Sequence, residues 1–297
     1  MRILLTNDDG IDAPGLAALH RAVASLGEVH VIAPAEVQSA TSHAVTLHRP
    51  VTVEKKGLGY AVHGRPADCV KLGVHALIDG PIDLVISGMN SGANVGINVL
   101  YSGTVGAARE ANFNGLPGIA VSLHIGDWDH NHWDRAAAHA RRAIDAVLAA
   151  PRSLDARTLI NINVPVLDGD AEPRGLRVAP ASLCSMVVEY RRDTDDQGRS
   201  TFQVCNSMNF ADRGGETDVQ ALYERYVTLT PLHFDTTCAD STRAWAEHFE
   251  GSVGKAPKPY GPDGSTDTAG QAGDGSLRGS GASADARVLN NGGRVDE

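Results

Sequence analysis

The sequence predicts an α/β protein in which helices cover both faces of a mainly parallel sheet, with an added β-hairpin protruding from it. Three observations predict this. The short apolar runs are continuous rather than alternating, as in strands covered on both faces. Segments with apolar residues at helical spacing fall between those runs. Proline and glycine stand where such helices would begin and end. Strand and helix therefore alternate along the chain, the pattern of a doubly wound layer.

The first run is Ile3-Leu4-Leu5. Pro14 then opens a helix with Leu16, Leu19, Val23 and Leu26 at helical spacing, closed by Gly27. A second strand covers 29–33, and 45–53 with 58–62 read as an extra hairpin. Pro66 starts a second helix carrying Val70, Leu72, Val74 and Leu77. The third and fourth core strands are 84–86 and 119–121, separated by a helical stretch over 103–114. An alanine-rich helix over 133–150 precedes a fifth strand, Leu159-Ile160-Asn161-Ile162. From 177 to 204 the pattern changes to two strands, around Val187-Val188-Glu189-Tyr190 and Phe202-Gln203-Val204, joined by a polar turn. Such a hairpin either packs on another subunit as an oligomerisation arm or forms an edge of its own domain.

The 297 residues allow one large domain or two small ones. Residues 1–250 form the expected folded unit. The last 47 residues hold 11 of the 32 glycines and few large apolar side chains, so 251–297 reads as a disordered tail. With 26 Lys and Arg against 36 Asp and Glu, the formal charge is −10, which argues against duplex nucleic acid or an anionic membrane as a partner. Four widely spaced cysteines (Cys69, Cys184, Cys205, Cys238) lack a C-x-x-C pair and fit a reducing compartment. The N-terminus turns acidic after a few apolar residues, too short for a signal peptide, so the expected location is cytoplasmic.

In open parallel sheets ligands bind beyond the carboxyl ends of the strands. Here those positions carry Asn7-Asp8-Asp9-Gly10, a loop with Gln38, Ser39, Thr41, Ser42 and His43, and Ser87-Gly88-Met89-Asn90-Ser91-Gly92-Ala93-Asn94. Two carboxylates ~4 Å apart repel by roughly 4 kcal/mol at an effective dielectric of ~20, so Asp8 and Asp9 call for a cation. Carboxylate, hydroxyl and amide oxygens are hard donors that suit Mg²⁺, Mn²⁺ or Ca²⁺ better than zinc. Tyr101-Ser102-Gly103-Thr104-Val105-Gly106 places small residues at a helix start, a cradle for phosphate or a tight packing point against the sheet. His130 and His132 form an H-x-H pair beside Trp128 and Trp133 that reads as a polar loop. His43 either approaches substrate or bonds the nearby backbone. The P-loop, dinucleotide and nucleophile-elbow strings are missing from the sequence.

Taken together, N-D-D-G at 7–10, Ser39, G-R-P-A-D-C-V-K-L-G at 64–73, S-G-M-N-S-G-A-N-V-G at 87–96, Y-S-G-T-V-G-A-A at 101–108 and T-P-L-H at 230–233 resemble the SurE family of stationary-phase survival proteins. The resemblance covers about residues 1–240. It implies a Rossmann-like three-layer αβα fold and a metal-dependent nucleotidase that hydrolyses nucleoside monophosphates to nucleoside and phosphate. Action on 5′-phosphates, with 3′-nucleotidase and exopolyphosphatase activity beside it, falls within what it implies. It also implies a homodimer or homotetramer built by a swapped hairpin or C-terminal exchange. One divalent ion per subunit, Mg²⁺ or Mn²⁺, would be held by Asp8, Asp9, Ser39 and Asn90. Phosphate would be held by Asn94, Ser102, Gly103 and Thr104, and Asp8, Asp9 and Asp235 would be catalytic.

The chain departs from the family pattern at Gln38 and Ala40, where a basic residue and glycine are common, and at Ala239, where some members carry a catalytic histidine. A nucleotide-binding module without turnover is the alternative reading. A receiver-like signalling module is disfavoured, because its phosphoacceptor aspartate would fall where the third core strand ends in S-G-M-N.

Overall fold

The five core apolar runs become strands of one sheet, and the runs around 187–190 and 202–204 form a separate two-stranded one. In chain order the strands are β1 (Arg2–Thr6), β2 (Glu28–Pro34), β3 (Val53–Lys56), β4 (Gly59–Val62), β5 (Leu84–Ser91), β6 (Gly118–Leu123), β7 (Leu159–Val164), β8 (Leu176–Val178), β9 (Met186–Thr194), β10 (Ser200–Phe210) and β11 (Val227–Leu232). The helices are α1 (Pro14–Val23), α2 (Pro66–Leu72), α3 (Asn98–Tyr101), α4 (Gly103–Phe113), α5 (Trp133–Leu148), α6 (Asp218–Tyr223) and α7 (Ala239–His248). This computed structural model describes residues 1–125, 132–151, 154–169, 172–184, 186–210 and 215–249. The chain divides into two compact units, Met1–Thr236 and Thr237–Glu297.

Within the first unit the sheet order is β3-β4-β2-β1-β5-β6-β7-β11-β8. From β4 through β7 every neighbouring pair is parallel. Successive side chains of β1 separate the two faces, as strand geometry requires. Ile3 and Leu5 pack with Leu16 and Leu19 of α1 and Ala140 and Ile144 of α5. Leu4, between them, packs with Val70 of α2 and Ala107 and Ala111 of α4. The result is the expected three-layer αβα arrangement, with β1 central and covered on both sides. Among the described residues no helix is long and apolar enough to cross a membrane.

Three elements differ from the sequence reading. Of the first expected hairpin strand, 45–53, only Val53 is β, and the strand runs on from it as Val53–Lys56; Thr46 is instead drawn to Asp68, donating its N–H (2.9 Å) and hydroxyl (2.6 Å) to that carboxylate. The later hairpin runs from Met186 to Phe210 rather than over 177–204, because Leu176–Val178 joins the main sheet alongside β11. β11 itself runs antiparallel to β7, with Leu232 opposite Leu159. In the second unit α7 is described, and Trp245 stacks on Phe249 with ring centroids 5.8 Å apart. The expected tail at 251–297, and His130 with Trp128, lie outside the described residues. His132 immediately precedes α5.

Helix α4 is laid directly on the sheet. A Cβ at Gly118 of β6 would fall 2.1 Å from the carbonyl oxygen of Ala108, backbone that cannot step aside. Gly118→Ala is therefore expected to destabilise the fold by about 1–3 kcal/mol or more through overpacking. A urea unfolding midpoint equal to wild type would contradict this close approach.

Candidate active site

The first strand delivers its acids through a turn that Asn7 closes on itself. The Asn7 amide donates to the Gly10 carbonyl (2.9 Å), and its carbonyl accepts from the Gly10 N–H (3.2 Å). Gly10 has φ +100, a conformation that favours glycine. Asp8 is thereby buried, 4% exposed, against the first turn of α4. Its carboxylate accepts from the Thr104 hydroxyl at 2.6 Å and the Thr104 N–H at 3.1 Å. Asp9 is half-buried and accepts from the Ser91 N–H at 2.8 Å, which sets it beside Asn90.

Electrostatics mark these acids as unfinished. Burial pushes the Asp8 carboxyl up to about 6, the Thr104 hydrogen bonds oppose this, and the neighbouring Asp9 charge adds to it. Asp9 is raised too, again by burial, with the Ser91 N–H pulling the other way. Among the described residues no Lys, Arg or His forms an ion pair with either acid. Holding Asp8 ionised at neutral pH thus costs about 3 kcal/mol relative to an ordinary aspartate. A divalent cation between the acids would offset that cost. No cluster of three or more His, Cys, Asp or Glu exists among the described residues, so the available donors are two carboxylates and neutral oxygens. Such a set fits a hard cation.

The second loop closes over the same point. The Gln38 N–H donates to the Asp8 carbonyl (2.7 Å), which places Ser39, exposed on the following turn, next to the acids. Thr41 donates its hydroxyl to the Gln38 carbonyl at 2.8 Å. Ala40 (φ +56) and Ser42 (φ +54) take left-handed backbone without being glycine, so this loop is strained. It is held by Ser42, whose N–H donates to Tyr101 O (2.9 Å) and whose hydroxyl donates to Leu100 O (2.7 Å). His43 neither approaches the acids nor bonds the backbone. Its Nε2 lies 2.7 Å from Oε2 of the buried Glu110, and its ring stacks on Phe113 at 5.1 Å. Burial alone would raise the Glu110 carboxyl, but hydrogen bonds from His43 and Lys71 hold it below its ordinary value.

The third loop owes its direction to β5. Between Ser87 and Asn90 the register against β6 slips by one residue, a bulge of the kind that redirects side chains beside active sites. Asn90 then turns back, its amide donating to Gly92 O at 2.6 Å. Asn94, 8% exposed, donates its amide to the Ser122 hydroxyl (2.9 Å). Its backbone is gripped from β7: its N–H donates to Asn163 Oδ1 (2.8 Å), and its carbonyl accepts from Asn161 Nδ2 (2.7 Å) and Asn163 Nδ2 (3.2 Å). Ser102 caps α4 by accepting the Val105 N–H at 3.1 Å. A Cβ at Gly103 would lie 3.0 Å from Asp8 Oδ2 and 3.2 Å from the Thr41 hydroxyl, so the tip of α4, the first loop and the second loop meet there.

One chain therefore gathers Asp8, Asp9, Ser39, Asn90, Ser102, Gly103 and Thr104, with Asn94 further along the third loop. It does not gather Asp235. That residue follows Phe234, which packs edge-on against Phe113 at 5.7 Å. Phe113 ends α4, about 15 Å along the helix from Gly103. The sequence reading missed Asn161 and Asn163 as the grip on the third loop. Their signal was two amides on alternate positions of an otherwise apolar strand.

An α/β sheet with acids, amides and a capped helix tip at its carboxyl edge is a class of site whose donors suit a hard cation beside an anion. The comparisons identify the family. The family profile for "Survival protein SurE" matches residues 3–187. The 5′-nucleotidase SurE of Carboxydothermus hydrogenoformans is 39% identical over 264 residues, covering 85% of this chain and 99% of that protein. That of Rhodopirellula baltica is 44% identical over 246 residues, covering 81% and 95%. The crystal structure of the SurE protein from Aquifex aeolicus superposes with TM-score 0.72 at 30% identity, covering 84% of this chain and all of that one. The chain belongs to the SurE family.

The raised Asp8 carboxyl has a measurable sign. A carboxyl lifted in the folded state stabilises below its unfolded value, near 3.8, and that contribution is lost as pH rises through about 6. In metal-free protein, Asp8→Asn should then be more stable than wild type at pH 7.5, with the difference shrinking towards pH 4. Urea unfolding across that range checks it, and a pH-independent difference would contradict the burial argument.

Proposed function

We propose that this chain is a metal-dependent phosphomonoesterase that hydrolyses nucleoside 5′-monophosphates to nucleoside and inorganic phosphate. The observation that carries the reading is the buried pair Asp8 and Asp9, without a cationic partner, set against the first turn of α4. Its relatives' designation as 5′-nucleotidases supports the substrate class. Uncatalysed monoester hydrolysis is slow enough that enzymes accelerate it by up to ~10²¹-fold, so strong charge stabilisation is required.

Asp8, Asp9, Ser39 and Asn90 would hold one Mg²⁺ or Mn²⁺. When bound, that ion supplies Lewis-acid stabilisation of a phosphoryl oxygen and acidifies water. The protein's own groups do the remainder. Asn94, Ser102 and Gly103 bind the phosphate, with the positive end of α4 stabilising charge that grows on the transferring group, while Thr104, whose hydroxyl and N–H both donate to Asp8, joins them only by giving up one of those bonds. Asp9, less buried than Asp8, orients the attacking water. Water oxygen bonds phosphorus as the ester P–O bond breaks, and the proton the water gives up ends on the departing nucleoside oxygen. Asp235 stands apart from this constellation, so a catalytic role for it requires a second copy of the chain.

That requirement makes assembly part of the proposal. The β9–β10 hairpin exposes Val188, Tyr190, Phe202 and Val204, an apolar surface suited to a homodimer or homotetramer contact. Free thiols at all four cysteines support a reducing, cytoplasmic setting.

Phosphate release from adenosine 5′-monophosphate with Mg²⁺ or Mn²⁺ tests the activity. Asp8→Asn should lower kcat/KM at least about a hundredfold, the usual scale for removing a transition-state electrostatic group. Nucleotide binding without phosphate release would favour an inert module instead. For assembly, Tyr190→Ser with Phe202→Ser should lower the molar mass by light scattering, and an unchanged oligomer would exclude the hairpin as the contact.

A further inference from the structure

We propose that the buried carboxylate of Asp218 is a positioning group for the candidate active site: it fixes the third loop beside Asn94 to the segment that enters the β9–β10 hairpin, so that phosphate binding and the hairpin root are coupled. The inference deepens the phosphatase reading above and rests on its assignment of Asn94 to the phosphate.

Two different elements hold the third loop. Asn94 is gripped from β7. A little further on, Gly96 takes left-handed backbone (φ +56) and donates its N–H to Asp218 Oδ2 at 2.9 Å. Ala93 and Val95, on either side of Asn94, pack with Val219, Leu222 and Tyr223, which makes α6 the seat of the loop. The other carboxylate oxygen serves a different segment. Asp218 Oδ1 accepts from the Val219 N–H (2.8 Å) and from the Ser182 N–H (2.9 Å), while the N–H of Asp218 itself donates to Pro180 O (2.9 Å). Residues 180–182, just ahead of β9, are thus clasped by the same residue that holds the loop.

Asp218 is fully buried, and among the described residues no Lys, Arg or His forms an ion pair with it. Burial lifts its carboxyl above the ordinary aspartate range, and the N–H groups of Gly96, Ser182 and Val219 pull against that. What the charge provides is a pair of acceptors on one rigid plane. An asparagine has a single acceptor oxygen and cannot serve both sides. Because Oδ1 already takes two N–H groups, an asparagine would keep its oxygen there and turn its NH₂ towards the Gly96 N–H, donor against donor. Asp218→Asn therefore releases the loop and leaves the hairpin root in place.

Turnover of adenosine 5′-monophosphate by the full chain with Mg²⁺ supplies the first test. Asp218→Asn should raise KM about tenfold, the scale of one lost hydrogen bond, with kcat within about twofold, because a phosphate grip made in ground and transition states alike acts on KM. Asn94→Ala should raise KM as well, and the double variant no further than Asn94→Ala alone, since Asp218 acts through Asn94. Effects that multiply, or a loss of kcat at unchanged KM, overturn the assignment. Wild-type protein gives a second measurement that no folding defect can obscure. With Mg²⁺ present, saturating inorganic phosphate should slow amide exchange at Ser182 together with Gly96, through the carboxylate they share. Protection of Gly96 alone, or of neither, refutes the coupling. Adenosine 5′-monophosphate left intact by the wild-type protein overturns the phosphatase reading instead, and joint protection by phosphate then upholds the coupling by itself.

Discussion

The carboxylate of Asp8, buried against the first turn of α4, is the contact around which the remaining site is arranged. It ties the end of the central strand to the start of a helix that Gly118 allows to lie flat on the sheet. Thr104 and the helix dipole oppose the cost of burying the charge but do not remove it. The adjacent Asp9 makes matters worse. A fold selected for stability alone would place an apolar or amide side chain at that position. Keeping two carboxylates there makes sense where a cation completes them, the pattern in which perturbed groups gather at functional sites.

The surrounding structure resists relaxation of that arrangement. The second loop keeps two non-glycine residues in left-handed backbone, at a cost of order 1–3 kcal/mol each. Bonds to the end of α3 and the buried Glu110 group hold it in place. The third loop is gripped by two asparagines from β7 rather than by its own residues. Each loop is therefore fixed by an element from elsewhere in the fold, so the donors are positioned before any ligand arrives, which lowers the ordering cost of binding.

Much of this was legible in the chain. Continuous apolar runs located the core strands, and residues clustered after β1, β2 and β5 located the site, because topology fixes where loops of a parallel sheet converge. Direction was harder to read. Composition cannot show that β11 runs antiparallel, and it is this reversal that carries Asp235 away from Asp8 while leaving it close in a motif-based reading. Thr46 looked like part of a strand because its preference for a buried carboxylate, Asp68, is a tertiary choice invisible to local pattern. The exchange of partners at His43 has the same origin: its acid lies 67 residues away.

These placements also constrain how chemistry here can be done. The histidine nearest the acids along the second loop, His43, is committed to Glu110 and stacked on Phe113. The donors that one chain assembles are carboxylate, amide and hydroxyl oxygens with backbone N–H groups. An oxygen-rich site of this kind is well equipped to hold opposite charges in fixed positions, and its raised carboxyls are the groups that could move a proton near neutral pH. The tip of α4 is set against the carboxylate of Asp8, and Asp9 adjoins it on the same edge of the sheet. Such a geometry favours reactions whose barrier is mainly the accumulation of charge on phosphoryl oxygens, and it explains why the interaction between Asp8 and Thr104, rather than any single acid–base residue, governs the architecture.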